Sequence, residues 1–231
     1  MLMAILCGGK GIRLRPLTDT IPKALVNLDG KPMISHILDK YSEKGIKDYI
    51  LCIGHKGHMI KDFLKDKQSI TFVDSGEEAS MLKRIFDVKD YFDDNIIIGY
   101  CDTITEIDFN DLMNKHKASR KFLTMVLAEI ASPFGIVKHN NKYISAFEEK
   151  PVFDYYIGTF VINKDAFQHM TLDLLEINSN EGLVMFFKKM VDMGEVSVYK
   201  YGGKQLTFNT NHEKEAAEKG ITQFYTMREE Q

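Results

Sequence analysis

The chain has 231 residues, 44% of them hydrophobic and 27% charged, with 16 Gly, 5 Pro and no Trp, which excludes intrinsic disorder as its main state. With 30 Lys and Arg against 33 Asp and Glu the formal net charge is −3, so there is no domain-wide basic field to recruit DNA or RNA. No run approaches the ~18 apolar residues of a membrane span, and the apolar start at Leu2 to Cys7 is too short for a signal peptide, so a soluble cytoplasmic protein is expected.

Leu2 to Cys7 is continuously apolar rather than alternating, as a strand buried on both faces of a mostly parallel sheet requires. Gly8-Gly9-Lys10-Gly11 breaks it. From Pro32 the period changes: Met33, Ile34, Ile37, Leu38 and Tyr41 fall on one helical face, and Gly45 stands at the stop. Tyr49 to Ile53 predicts a second strand, Met59, Ile60, Phe63 and Leu64 a helix, Ile70 to Val73 a short strand, and Asn95 to Cys101 a third long buried strand. A helix follows over Phe109 to Lys117 with Asp108 as its cap, then a strand at Phe122 to Ile130. Gly135 to Lys138 pairs with Lys142 to Glu148 in a hairpin turned by the two residues Asn140-Asn141. Ile157 to Ile162 and Val196 to Tyr201 read as strands, Glu181 to Met193 and His212 to Phe224 as helices. The pattern predicts an α/β fold with a Rossmann-like, mostly parallel but mixed sheet, flanked by helices and carrying a small antiparallel β insertion. No linker or repeat divides residues 1–231, and the odd, widely spaced Cys7, Cys52 and Cys101 read as reduced core residues.

Gly8, Gly9 and Gly11 follow a buried strand directly, where an open α/β sheet presents loops to a ligand. Glycines there let backbone N–H groups approach phosphate oxygens, and Lys10, Arg13 and Arg15 add positive charge. The spacing matches neither the dinucleotide fingerprint nor a Walker loop. On these residues alone, a polyphosphate loop and a tight turn with surface cations both stay open. His55 and His58 form a His-x-x-His pair, but Lys56 and Lys61 beside them make a poor metal site, and they read as loop residues.

The continuation carries more: Leu6-Cys7-Gly8-Gly9-Lys10-Gly11-Ile12-Arg13-Leu14-Arg15-Pro16-Leu17, then Ile21-Pro22-Lys23-Ala24-Leu25, then Gly30-Lys31-Pro32-Met33-Ile34. This succession resembles the sugar-phosphate nucleotidyltransferases. Gly54-His55-Lys56-Gly57-His58 and Val73-Asp74-Ser75-Gly76 followed by Met81-Leu82-Lys83-Arg84 are most similar to the branch that acts on glucose 1-phosphate with CTP.

The resemblance implies one nucleotidyltransferase domain, with a nucleotide-binding half over about 1–118 and an acceptor-binding and assembly half over about 119–231. It implies binding of the triphosphate by Leu6, Gly8, Gly9, Lys10, Gly11, Arg13, Gly76 and Ser80, with Arg13 on the departing phosphates. Lys23 would bridge the α-phosphate and the acceptor phosphate as negative charge builds there. Asp102, ending the buried run Ile96 to Cys101, matches the family's first Mg²⁺ ligand, and Asn209 stands where the second, an Asp, is expected; capping the helix from His212 is the other reading of Asn209. Gly135, Glu149, Lys150 and Thr159 fall in motifs similar to the acceptor site, although a Glu-Glu-Lys stretch also reads as a solvated strand end. The expected partners are CTP and a phosphorylated small molecule, with the product serving surface polysaccharide assembly and copies of the chain assembling through the second half. Departures bear on substrate choice. Glu77-Glu78-Ala79-Ser80 is shorter than the matching loop of the CTP branch, leaving UTP or dTTP open, and Ile157 replaces a polar residue. Tyr155, Tyr156 and Phe160 are then candidates to line a site for a non-sugar acceptor such as phosphocholine or a phosphorylated amino-acid derivative. A nucleotide-binding subunit without chemistry is the reading from a different class.

Overall fold

The computed structural model describes residues 1–177 and 180–225, with the backbone alone at Gln223. The first half runs β1 (Leu2–Leu6), β2 (Asn27–Leu28), β3 (Lys31–Pro32), α1 (Met33–Glu43), β4 (Asp48–Ile53), α2 (Gly57–Leu64), β5 (Ile70–Asp74), α3 (Met81–Phe86), β6 (Asn95–Tyr100), β7 (Thr103–Thr105) and α4 (Phe109–Ser119). The second half adds β8 (Leu123–Ala131), β9 (Ile136–His139), β10 (Ile144–Glu148), β11 (Val152–Asn163), α5 (Leu172–Leu175), α6 (Glu181–Asp192), β12 (Val196–Lys200), β13 (Gln205–Thr207) and α7 (Asn211–Ile221).

Seven strands form the main sheet in the order β12-β8-β11-β6-β1-β4-β5. Every neighbouring pair is parallel except the two made by β11, which runs antiparallel to both β6 and β8. The mixed, mostly parallel sheet expected from the sequence is therefore present. Alternate residues of β1 point to opposite faces: Met3 and Ile5 join Ile34, Ile37, Tyr41 and Phe109, whereas Ala4 and Leu6 join Leu82, Ile85, Leu183 and Phe186. Helices α1, α2, α4 and α7 thus cover one face and α3, α5 and α6 the other, which is why β1 is apolar at every position. Cys7, Cys52 and Cys101 are buried and free, as expected. No helix among the described residues is long and apolar enough to cross a membrane.

Three local differences from expectation have physical causes. The hairpin turn holds four residues, Asn140 to Tyr143, not two: Asn140 Oδ1 accepts from the N–H groups of Lys142 and Tyr143, at 3.2 and 2.9 Å, and so spans a wider loop. Strand β11 starts at Val152, five residues before the predicted Ile157. At Ile157, Gly158 and Thr159 it bulges, those three standing opposite Val126 alone, since Tyr156 pairs with Leu127 and Phe160 with Met125. Phe63, expected on the inner face of α2, is exposed, and Ile60 and Leu64 make the contact with the core.

After β1 the chain crosses to β4 and β5 on one side and returns to β6 on the other. The carboxyl ends of β1 and β6 therefore flank a topological switch point, the place where open α/β sheets hold ligands.

Candidate active site

A cleft of about 940 Å³ opens at that switch point. Its floor carries Leu6 and Cys101 at the ends of adjacent strands; one wall is the glycine loop up to Leu14, another Glu77 to Met81. The far end is formed by Tyr100, by Tyr155 to Gly158 of β11, and by Gln205 and Thr207 of β13.

Four polar side chains from distant parts of the chain meet in this cleft. Lys23 Nζ donates to Asp102 Oδ2 at 2.5 Å and to Asn209 Oδ1 at 3.1 Å, and Arg13 Nη2 donates to the same amide oxygen at 2.9 Å. Each is positioned by its own element. Arg13 sits in a 3-10 turn, Ile12–Leu14, that follows Gly11, whose φ of +61° few other residues adopt and whose carbonyl accepts from Thr18 Oγ1 at 2.8 Å. Lys23 opens a second turn, Lys23–Leu25, and its ammonium lies 5.5 Å from the centroid of the buried Phe208 ring. Asp102 follows β6, and Thr103 Oγ1 lies 3.1 Å from both Asp102 Oδ1 and Thr207 Oγ1. The ladder of β7 with β13 sets this register, pairing Thr103 with Thr207. Asn209 is not the cap of α7: Thr210 Oγ1 accepts from Glu213 N, and the Glu213 carboxylate accepts from Asn209 N at 2.6 Å. The Asn209 side chain is left to serve the cleft.

Cys7 and Cys52 do not line the cleft. Cys7 is pushed well above the usual thiol range, first by its hydrogen bond with Cys101 and then by burial, and burial takes Cys52 up to about 12. The cleft binds and orients through cations, amides and backbone instead.

Of the nucleotide-binding residues expected from sequence, Leu6, Gly8, Gly9, Lys10, Gly11, Arg13 and Ser80 line the cleft together. Lys10 Nζ is paired with Glu78 at 2.6 Å, a contact that raises the lysine's pKa, and His55 Nδ1 meets Glu77 at 2.7 Å, holding that carboxyl below its usual range. His55 and His58 lie outside the cleft lining. Ser80 also caps α3, its Oγ accepting from Lys83 N at 3.1 Å. Gly76 does not line the cleft; its φ is +88° and its carbonyl turns to the buried Arg84.

The expected acceptor residues are not brought to the cleft. Gly135 precedes β9, and Glu149 and Lys150 follow β10, all on the exposed hairpin, where the last two lie 3.9 Å from each other. Thr159 belongs to the bulge of β11 but is buried, and Phe160 is wholly buried in the core rather than facing a ligand. Tyr155 and Tyr156 do line the cleft, with Tyr155 Oη donating to Gln205 Oε1 at 3.0 Å. Sequence reasoning passed over Tyr100, at the end of β6, and Gln205 and Thr207, which reach the cleft because β13 lies against β7.

Asp102 and Asn209 suit a divalent ion in chemistry and placement. Both offer hard oxygen donors, and the two oxygens converge on one cationic group, the Lys23 ammonium. Two protein oxygens completed by phosphate and water are the usual complement of Mg²⁺. Among the described residues no group of three or more His, Cys, Asp or Glu side chains is placed to hold a metal by itself.

Known proteins share the sequence pattern and the fold. The family model described as nucleotidyl transferase matches residues 3–205. The chain is 29% identical to the probable glucose-1-phosphate cytidylyltransferase of Bacillus subtilis, covering 91% of this chain and 92% of that one. It is 26% identical to the glucose-1-phosphate cytidylyltransferase of Salmonella typhimurium, covering 93% of each. Among solved structures, HddC from Yersinia pseudotuberculosis shares the fold with a TM-score of 0.70 at 17% identity, over 95% of this chain and 99% of that one.

Proposed function

Because the chain belongs to the nucleotidyl transferase family, we propose that it moves a cytidylyl group from CTP to the phosphate of a small molecule and releases pyrophosphate. The observation that carries this reading is the meeting of Arg13, Lys23, Asp102 and Asn209 beside a glycine loop at the sheet's switch point. CTP is supported by the two cytidylyltransferases to which the chain is similar over most of its length.

In this reading an oxygen of the acceptor phosphate attacks the α-phosphorus in line, the bond from α-phosphorus to the bridging oxygen breaks, and that oxygen leaves on pyrophosphate. The N–H groups of the glycine loop, with Lys10 and Arg13, hold the β and γ phosphates. Lys10 exchanges Glu78 for phosphate when the nucleotide enters. Lys23 is held between Asp102 and Asn209 and is drawn toward the α-phosphate and the acceptor phosphate, where charge concentrates in the transition state. Asp102 and Asn209 would hold Mg²⁺, which would neutralise part of the triphosphate charge. The protein forms no covalent bond to substrate. Such an enzyme serves surface polysaccharide assembly from the cytoplasm.

A second reading of the acceptor rests on the far end of the cleft. Tyr100, Tyr155, Tyr156, Ile157 and Gln205 give it aromatic faces and an amide but no carboxylate, a wall suited to a phosphorylated amine, alcohol or amino-acid derivative as well as to a hexose.

The test is pyrophosphate release with Mg²⁺ and CTP, UTP, dTTP or ATP against hexose 1-phosphates, phosphocholine and phosphorylated amino-acid derivatives. Release with CTP is expected, with a loss of about 100-fold or more in Asp102→Ala. CTP binding without release from any acceptor would leave a nucleotide-binding subunit as the better account.

A further inference from the structure

Arg84 is 3% exposed, yet all four of its hydrogen bonds go to backbone carbonyls and none to a carboxylate. Nη1 donates to Ile53 O at 2.5 Å; Nη2 reaches Gly76 O at 2.9 Å, Gly8 O at 3.1 Å and Glu77 O at 3.2 Å. These carbonyls stand at the carboxyl ends of three adjacent strands, β1, β4 and β5, so a single guanidinium ties three loops together. Room has been made for it. A Cβ on Gly8 would run into the guanidinium, one on Gly54 into the guanidinium and the Gly76 carbonyl bonded to it, whereas one on Gly9 would meet nothing within 4 Å. Gly8 and Gly54 therefore answer to Arg84, and Gly9 is the glycine that stands open.

The consequence follows from the planarity of the peptide. In a trans peptide the C=O and the N–H of the next residue point in opposite directions. Drawing the Gly8 carbonyl down onto Arg84 turns the Gly9 N–H up, and drawing the Gly76 and Glu77 carbonyls does the same for the N–H groups of Glu77 and Glu78. No carboxylate hydrogen-bonds the buried guanidinium, and Asp74 and Asp87 act on it only through their fields, so its hydrogen bonds are all spent on ordering the loops above it.

Building on the nucleotidyltransferase reading, we propose that Arg84 is the positioning residue of the polyphosphate site: it orders the glycine loop and aims the Gly9 N–H at the triphosphate. Its partners all lie at the ends of β1, β4 and β5 and none in the wall formed by residues 155–158, so its selective effect is on the nucleotide and not on the acceptor.

The experiment compares wild type, Arg84→Met, Arg84→Lys and Gly54→Ala in steady-state pyrophosphate release and in calorimetric binding of inorganic pyrophosphate with Mg²⁺. Gly54 does not line the cleft, so Gly54→Ala crowds the Arg84 guanidinium and the Gly76 carbonyl that it holds without touching a ligand. In Arg84→Met the nucleotide KM and the pyrophosphate Kd are expected to rise at least tenfold, with the acceptor KM unchanged within twofold. Arg84→Lys keeps the charge but spans fewer carbonyls and recovers part of the affinity. Gly54→Ala raises the nucleotide KM with the acceptor KM unchanged, and its effect shrinks in the Arg84→Met background, where only the crowding of the Gly76 carbonyl remains. An unchanged nucleotide KM in Gly54→Ala, or a parallel fall of kcat, acceptor affinity and thermal midpoint in all variants, overturns the proposal; if Arg84→Met fails to fold, Gly54→Ala decides. A wild type silent with every nucleotide would sink the enzymatic reading, and the pyrophosphate titrations would still judge Arg84.

Discussion

Asn209 sets the charge of the cluster. Arg13 and Lys23 bring two positive charges to its amide oxygen, and Asp102 is the one carboxylate bonded among the four. Such a site is net positive until the triphosphate arrives, so a divalent ion gains little by entering first. Asn209→Asp supplies a second carboxylate; Mn²⁺ titrated without nucleotide and followed by electron paramagnetic resonance should bind about tenfold more tightly. Equal affinity in the two proteins would remove Asn209 from the ion's surroundings. Arg13, Lys23 and Asp102 were legible because each sits in a sequence motif whose chemistry is carried by its own side chain. Arg84 was quoted in a motif, but its role was not legible, since its partners are carbonyls that every residue possesses. Glu149 and Lys150 fitted a pattern of residue types, and the pattern says nothing about the direction in which a hairpin leaves the sheet.

Periodicity found most of the longer strands and helices, and it missed elements too short to show a period. The six-residue α3 and the two- and three-residue ladders β2 with β3 and β7 with β13 are of this kind. The cost is functional, because β7 and β13 pair Thr103 with Thr207 and so bring the neighbouring Asp102 and Asn209 to one place. The bulge of β11 was equally silent, although Gly158 marked it. Its φ is +87°, and a Cβ there would come within 2.6 Å of the Tyr100 ring. Gly158→Ala should cost roughly 2–4 kcal/mol in urea denaturation, combining left-handed strain with a clash. Since Gly158 and Tyr100 both face the cleft, turnover should fall with it. A stability loss below about 0.5 kcal/mol would mean that the bulge relaxes freely.

At the scale of the whole molecule, the edge opposite the cleft is held by a buried polar network. His116 of α4 lies 2.7 Å from Thr124 Oγ1 in β8 and 2.8 Å from Asn95 Oδ1 in β6, and Thr124 in turn meets Ser197 of β12 at 2.6 Å. An amide oxygen only accepts, so Nε2 carries a proton, and Thr124 Oγ1 can give one to a neutral Nδ1. Burial lowers the pKa of His116 to about 4, with Asp94 pulling the other way and Lys117 reinforcing the depression. The unfolded chain protonates near 6.5 and the folded one near 4, so this contribution is complete above pH 6.5 and is lost as pH falls through that window. It amounts to roughly 3 kcal/mol. Urea unfolding between pH 7 and pH 4 should show this slope in the wild type and lose it in His116→Gln; identical slopes would place the titration elsewhere. The sequence announced strands here but not their directions, and periodicity does not distinguish the antiparallel β11 from its neighbours. The clip of β13 onto β7 also has a consequence for biosynthesis. Lys23 and Asp102 leave the ribosome long before Asn209, so the emerging chain carries an ammonium and a carboxylate with no amide to hold them. The four-residue cluster is therefore complete only when the last tenth or so of the chain is made, and a protein cut short before it lacks the amide oxygen that Arg13 and Lys23 share.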